Sequence, residues 1–160
     1  MQAGDQKGIL MNVSELDELG GRLLVIYDGH CGFCNRTVRW FLRRDELDRL
    51  RFVASESPKV AELLARHGYA ALDLATGPNT ILVVRDADGP DERVLIRSDA
   101  AAAMLEVLPG PWRGVGRVFS WIPRAVRDFG YLIVARWRYR IWGRLEMCPL
   151  PTAEERARFM

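Results

Sequence analysis

Arg22-Leu23-Leu24-Val25-Ile26-Tyr27-Asp28-Gly29-His30-Cys31-Gly32-Phe33-Cys34 changes character twice within thirteen residues, and both changes bear on the fold. Leu23 to Tyr27 is a continuous apolar run closed by the turn residues Asp28-Gly29, the pattern of a buried strand. From Gly32 the period becomes helical. Val38, Phe41, Leu42 and, further on, Leu47 fall on one face, with Arg36, Arg39, Arg43 and Arg44 largely outside it. Cys31 therefore stands where a strand ends and a helix begins.

Downstream, Arg51 to Ser55 is predicted as a second strand. Ser57-Pro58 opens a helix, with serine at the cap and proline in the first turn. That helix carries Val60, Leu63 and Leu64 and ends at Gly68. Thr80 to Arg85 and Arg93 to Arg97 flank the turn-rich segment 86–92 and read as a hairpin. Ser98-Asp99 is predicted to cap a further helix bearing Met104, Leu105 and Leu108, stopped by Pro109-Gly110. The order β-α-β-α-β-β-α, with a right-handed crossover followed by a hairpin and a last helix, predicts an α/β, thioredoxin-like core over residues 22–110.

Residues 1–21 read as an N-terminal extension and 111–160 as a C-terminal helical extension packed on that core. In the latter, Val115, Phe119, Ile122, Val126, Phe129, Ile133, Trp137 and Ile141 recur at steps of three or four, interrupted at Pro123. The expectation is that this stripe is the packing face. Eight arginines and one acid, Asp128, lie between Trp112 and Arg144, so contact with a membrane surface is a second, less favoured reading. Thr152, with Glu155 three residues on, has the form of a capping box.

Apolar residues make up 49% and charged residues 28% of the 160, the balance of one globular domain. A formal net charge of +2 argues against a nucleic-acid partner. No secretory leader or membrane-spanning run is visible, so a cytoplasmic, reducing setting is expected. There, three cysteines do not read as a structural disulfide framework.

Two cysteines three residues apart at a helix start are close enough to form a disulfide. Free amide hydrogens there favour a thiolate, the reactive species in exchange. The predicted chemistry has Cys31 attacking a disulfide and Cys34, one turn deeper, resolving the mixed disulfide. Gly32 would permit the tight turn. Asp28 is either the acceptor of the Cys34 proton, partly buried at the strand end, or simply a turn residue. His30 is a candidate for tuning the thiol and Phe33 for substrate contact. No metal and no cofactor beyond the cysteine pair is called for, and the partner is a disulfide-containing protein or a small thiol. The reading collapses if the two sulfurs point apart, or if both are locked beneath packed side chains with no route to solvent. The alternatives are a non-catalytic metal-binding or interaction module using the same cysteines, for which Cys148, His30 and His67 are the only further ligands of that kind, or cysteines that merely pack. Cys148 is a candidate relay thiol or a structural one.

Tyr27-Asp28-Gly29-x-Cys31-x-x-Cys34 after an apolar strand resembles the DCC family of predicted thiol–disulfide oxidoreductases. Asn79-Thr80-Ile81, Arg97-Ser98-Asp99-Ala100, Arg138-Tyr139-Arg140 and Cys148-x-x-Pro151 extend the similarity over most of the chain. The resemblance implies a thioredoxin-like fold and dithiol chemistry at Cys31 and Cys34. Thioredoxins place a cis-proline just before the third strand, facing the dithiol. Here Asn79 or Thr80 takes that position and Pro78 is displaced, which implies a different substrate-contacting edge.

Overall fold

The computed structural model describes residues 22–69, 81–87, 90–146 and 151–160. Asn79, Thr80 and Cys148 lie outside them, as does the N-terminal extension. Strands β1 (Leu23–Tyr27), β2 (Leu50–Ala54), β3 (Ile81–Arg85) and β4 (Arg93–Ile96) form one sheet in the order β2-β1-β3-β4. β1 runs parallel to β2 and antiparallel to β3, and β3 is antiparallel to β4. Helices α1 (Gly32–Leu42), α2 (Pro58–Arg66) and α3 (Arg97–Glu106) complete the predicted order, so the core has the thioredoxin-like α/β arrangement. Two further helices follow, α4 (Pro111–Trp121) and α5 (Arg124–Trp142), separated at Ile122-Pro123 as the proline required.

Each face of the sheet has its own apolar cluster, because alternate residues of β1 point to opposite sides. Leu23, Val25 and Tyr27 meet Val38 and Phe41 of α1 and Met104 of α3. Leu24 and Ile26 meet Val60, Leu63 and Leu64 of α2. α2 ends as expected: Gly68 takes φ +74°, and the amides of Gly68 and Tyr69 donate to the carbonyls of Ala65 and Leu64.

Three expectations are corrected. Leu47 is not on α1, which stops at Leu42, and it is 56% exposed. The turn after α1 is organised instead by buried Asp45, which accepts from the amides of Arg49 and Leu50. Ser98 does not cap α3. It is buried within the helix, and the Asp128 carboxylate of α5 accepts from its amide and its hydroxyl. The third correction concerns α5, whose apolar stripe does not do the packing. Phe129, Ile133, Trp137 and Ile141 are exposed, and the face turned to the core carries Asp128, Tyr131, Ala135, Arg138 and Tyr139. The polar face goes inward because the core offers it partners: Asp128 caps α3, and the Tyr131 hydroxyl accepts from the Ile81 amide at the start of β3.

At the C-terminus, the Thr152 amide donates to the Glu155 carboxylate and the Glu155 amide to the Thr152 hydroxyl, the expected capping box, but only a 3-10 turn follows (Arg156–Arg158). Beyond it, Phe159 packs on Tyr27 and Phe52, and the Met160 amide donates to the Phe52 carbonyl, covering part of the β2 edge.

Candidate active site

β1 delivers Asp28 to the sheet's end, and the turn Asp28–Cys31 carries the chain into α1. Cys31 is the N-cap of α1, and its Sγ accepts from the Cys34 amide at 3.2 Å. The Cys34 thiol also donates to that sulfur. These hydrogen bonds, helped by the nearby Arg138 guanidinium, lower the Cys31 pKa from an ordinary 9.0 to about 7, against burial and the Asp28 charge. Cys34 moves the other way. Its hydrogen bond to Cys31 and its burial hold it protonated well above the usual thiol range. One thiol is thus prepared to ionise at neutral pH and the other to keep its proton. Both are free thiols.

Asp28 is fully buried. It accepts from the His30 amide at 2.9 Å and from the Tyr139 hydroxyl, and its Oδ2 lies 3.7 Å from Arg138 Nη2. Arg138 is itself 1% exposed, stacked over the Tyr139 ring. Burial works against its charge, while Tyr139 and the two thiols favour it, and the net direction is upward. Burial and the Asp28 carboxylate push the Tyr139 hydroxyl up to about 12, so it remains a donor at neutral pH. Two buried charges in contact are tolerated because each also has hydrogen-bonding partners.

Gly32 has a different role from the expected one. Its φ is not positive, and a Cβ there would lie 2.5 Å from the Trp142 carbonyl oxygen. The glycine is needed because the end of α5 passes directly over the start of α1. Residues Trp142–Leu145 form a strap across the dithiol: the Gly32 amide donates to Gly143 O (3.4 Å), the Leu145 amide donates to His30 O (2.7 Å), and Cys31 bridges to Arg144. The His30 ring belongs to this strap, with Nδ1 3.2 Å from Leu145 O and Nε2 3.6 Å from Glu56. Under it, Cys31 and Cys34 are both 0% exposed. The expectation of an accessible attacking sulfur is corrected by this closed arrangement: both cysteines belong to the buried apolar cluster under α1, and the strap is hydrogen-bonded across the start of that helix.

Phe33 is half-buried with its ring 4.7 Å from Trp142, at one end of an open groove of about 530 Å³ lined also by Arg36, Arg39, Trp40 and Arg43. Sequence reasoning placed no chemistry on Arg138 or Tyr139. The available signals were the Arg138-Tyr139-Arg140 match in the family resemblance and the polar stripe Asp128, Tyr131, Arg138 along α5, the latter masked by the stronger apolar stripe opposite. Among the described residues, no three His, Cys, Asp or Glu side chains cluster as a metal site would need.

A family model described as DCC1-like thiol–disulfide oxidoreductase matches residues 25–144. The uncharacterized protein YuxK of Bacillus subtilis is 30% identical over 144 residues, covering 90% of this chain and 97% of that one. A chloroplastic DCC family protein of Arabidopsis thaliana is 31% identical over 129 residues, covering 81% of this chain and 70% of that one. No solved structure matches.

Proposed function

The chain belongs to the DCC1-like thiol–disulfide oxidoreductase family, and from that premise we propose that it exchanges its own dithiol with a disulfide substrate. The observation that carries the reading is the asymmetry of the pair, with a thiolate-prone Cys31 at a helix N-cap and a proton-retaining Cys34 one turn inward. The Cys31 thiolate attacks one sulfur of the substrate disulfide, forming a mixed disulfide and releasing the first thiolate, which takes a proton from water. The loss of negative charge on Cys31 removes the hydrogen-bond acceptor and the charge that, together with burial, kept Cys34 protonated. Asp28 accepts the Cys34 proton, and Arg138 stabilises the emerging thiolate. Cys34 then attacks the Cys31 sulfur, closing the Cys31–Cys34 disulfide and expelling the second substrate thiol. Two electrons have passed from the pair to the substrate, and an external thiol donor restores the dithiol. The cysteine pair is the whole redox centre on this reading, and the setting is a reducing, cytoplasmic one in which the substrate is a disulfide, carried by a protein or a small molecule, and a small thiol can serve as the restoring donor.

Reaction requires the strap to lift. Its few hydrogen bonds are worth about 1 kcal/mol each, and the Phe33–Trp142 contact adds about as much. Opening therefore costs roughly 3–4 kcal/mol, leaving on the order of one molecule in a few hundred accessible at any moment.

The direct test is Cys34→Ser presented with a disulfide substrate. A mixed disulfide trapped at Cys31 is the expected product. If neither Cys31 nor the substrate is modified in the folded protein while the denatured chain does exchange, the reading is wrong.

A further inference from the structure

The outward surface of α4 and α5 is unusual for a protein that packs its apolar stripes inward. Trp121 is 85% exposed, Phe129 68%, Val118 62% and Val126 60%, in two consecutive helices. Single exposed apolar side chains are ordinary, but four large ones at 60% exposure or more on two successive helices are unusual and point to a binding surface. It is also strongly basic. Residues 112–144 carry a formal charge of +7, while the rest of the chain carries −5. Arg113 and Arg117 on α4, and Arg136 and Arg140 on α5, are exposed, with no acidic partner among the described residues. The one acid of the segment, Asp128, is turned inward onto Ser98.

We propose that this face is a membrane-surface site, on which α4 and α5 lie along an anionic phospholipid bilayer with their apolar side chains at the acyl boundary and their arginines among the headgroup phosphates. Three observations select this occupant. Tryptophan and phenylalanine beside arginine is the composition of helices lying in a bilayer interface, where long cationic side chains reach back to the headgroups. The charge suits an anionic surface and opposes a second copy of the chain, which would bring the same arginines face to face. No described helix is long and apolar enough to cross a membrane, so the helices lie on the surface. At Trp142 the face meets the groove lined by Arg36, Arg39 and Arg43 of α1, which extends the basic surface to the helix that bears the cysteines.

The experiment is co-sedimentation of the full chain with phosphatidylcholine vesicles and with vesicles that also contain phosphatidylglycerol. Expected are binding to the anionic vesicles only, a blue shift of tryptophan fluorescence, and release by salt. The double variant Trp121→Ser/Phe129→Ser, at exposed positions, should keep its circular dichroism spectrum and bind at least about tenfold more weakly. Arg117→Gln/Arg136→Gln should lose affinity in the same sense. No binding to anionic vesicles, equal binding to both compositions, or a self-associating chain that Trp121→Ser/Phe129→Ser turns monomeric without any vesicle binding would each overturn the proposal. Vesicle binding needs no thiol, so Cys31→Ser should bind as the parent does, and failure here leaves the dithiol reading untouched.

Discussion

Arg138 links the cysteine pair to the rest of the molecule, since it touches Asp28 and lowers the pKa of both thiols. Iodoacetamide labelling of Cys31 in the reduced protein is therefore expected to rise with pH through a midpoint of about 7. Arg138→Gln should move that midpoint upward, because losing the cation disfavours the thiolate. Asp28→Asn should move it downward, because the carboxylate raises it. Arg138→Gln also leaves Asp28 buried without its counter-charge, a loss of about 3–5 kcal/mol, so the pH profile and a urea titration belong together. Gly32→Ala tests the strap. A methyl group 2.5 Å from a backbone oxygen cannot be accommodated in place. The expected result is a stability loss of about 1–3 kcal/mol together with faster labelling of Cys31, as the strap is pushed away. A loss of stability with unchanged labelling would mean that the loop does not control access.

Among the elements, α5 carries the most separate duties. Its inner face caps α3 through Asp128, meets β3 through Tyr131 and closes the dithiol site through Arg138, Tyr139 and the strap that follows it. Asp128→Ala removes the acceptor for the Ser98 amide and hydroxyl, and should cost about 1–2 kcal/mol in chemical denaturation, the range for a lost helix cap. Asp128→Asn should recover part of it, because the amide oxygen still accepts. The apolar stripe on the other side of α5 was the more visible signal, and it pointed the wrong way. Periodicity identifies a face that avoids water without saying whether the chain itself covers it. The polar stripe was the informative one, since its tyrosines, acid and arginine are what a buried carboxylate and a bare helix start need.

For the whole molecule, the thiol asymmetry couples pH to stability. The folded-state pKa of Cys31 is depressed from 9.0 to about 7, so its contribution is fully present above pH 9 and lost as pH falls through 7. Cys34 is shifted upward and opposes folding only where an unfolded thiol would ionise, above about 9. Between pH 7 and 9 the reduced protein should therefore gain thermal stability with rising pH relative to Cys31→Ser, measured by scanning calorimetry. Parallel curves for the two proteins would mean that Cys31 is not an activated thiol.

The strand, the Asp28-Gly29 turn, the helix start at Gly32 and the order of the core elements were all readable from the chain, because runs, turn residues and helical period act over a few neighbours. The position of Cys31 at a helix N-cap followed from the same local rules. The strap over the sulfurs, the reason for Gly32, the cap that Asp128 lends to α3 and the pairing of Asp28 with Tyr139, 111 residues away, came only with the tertiary structure. Each depends on which surfaces meet across the fold, and a buried charge draws its partner from wherever the packing can supply one.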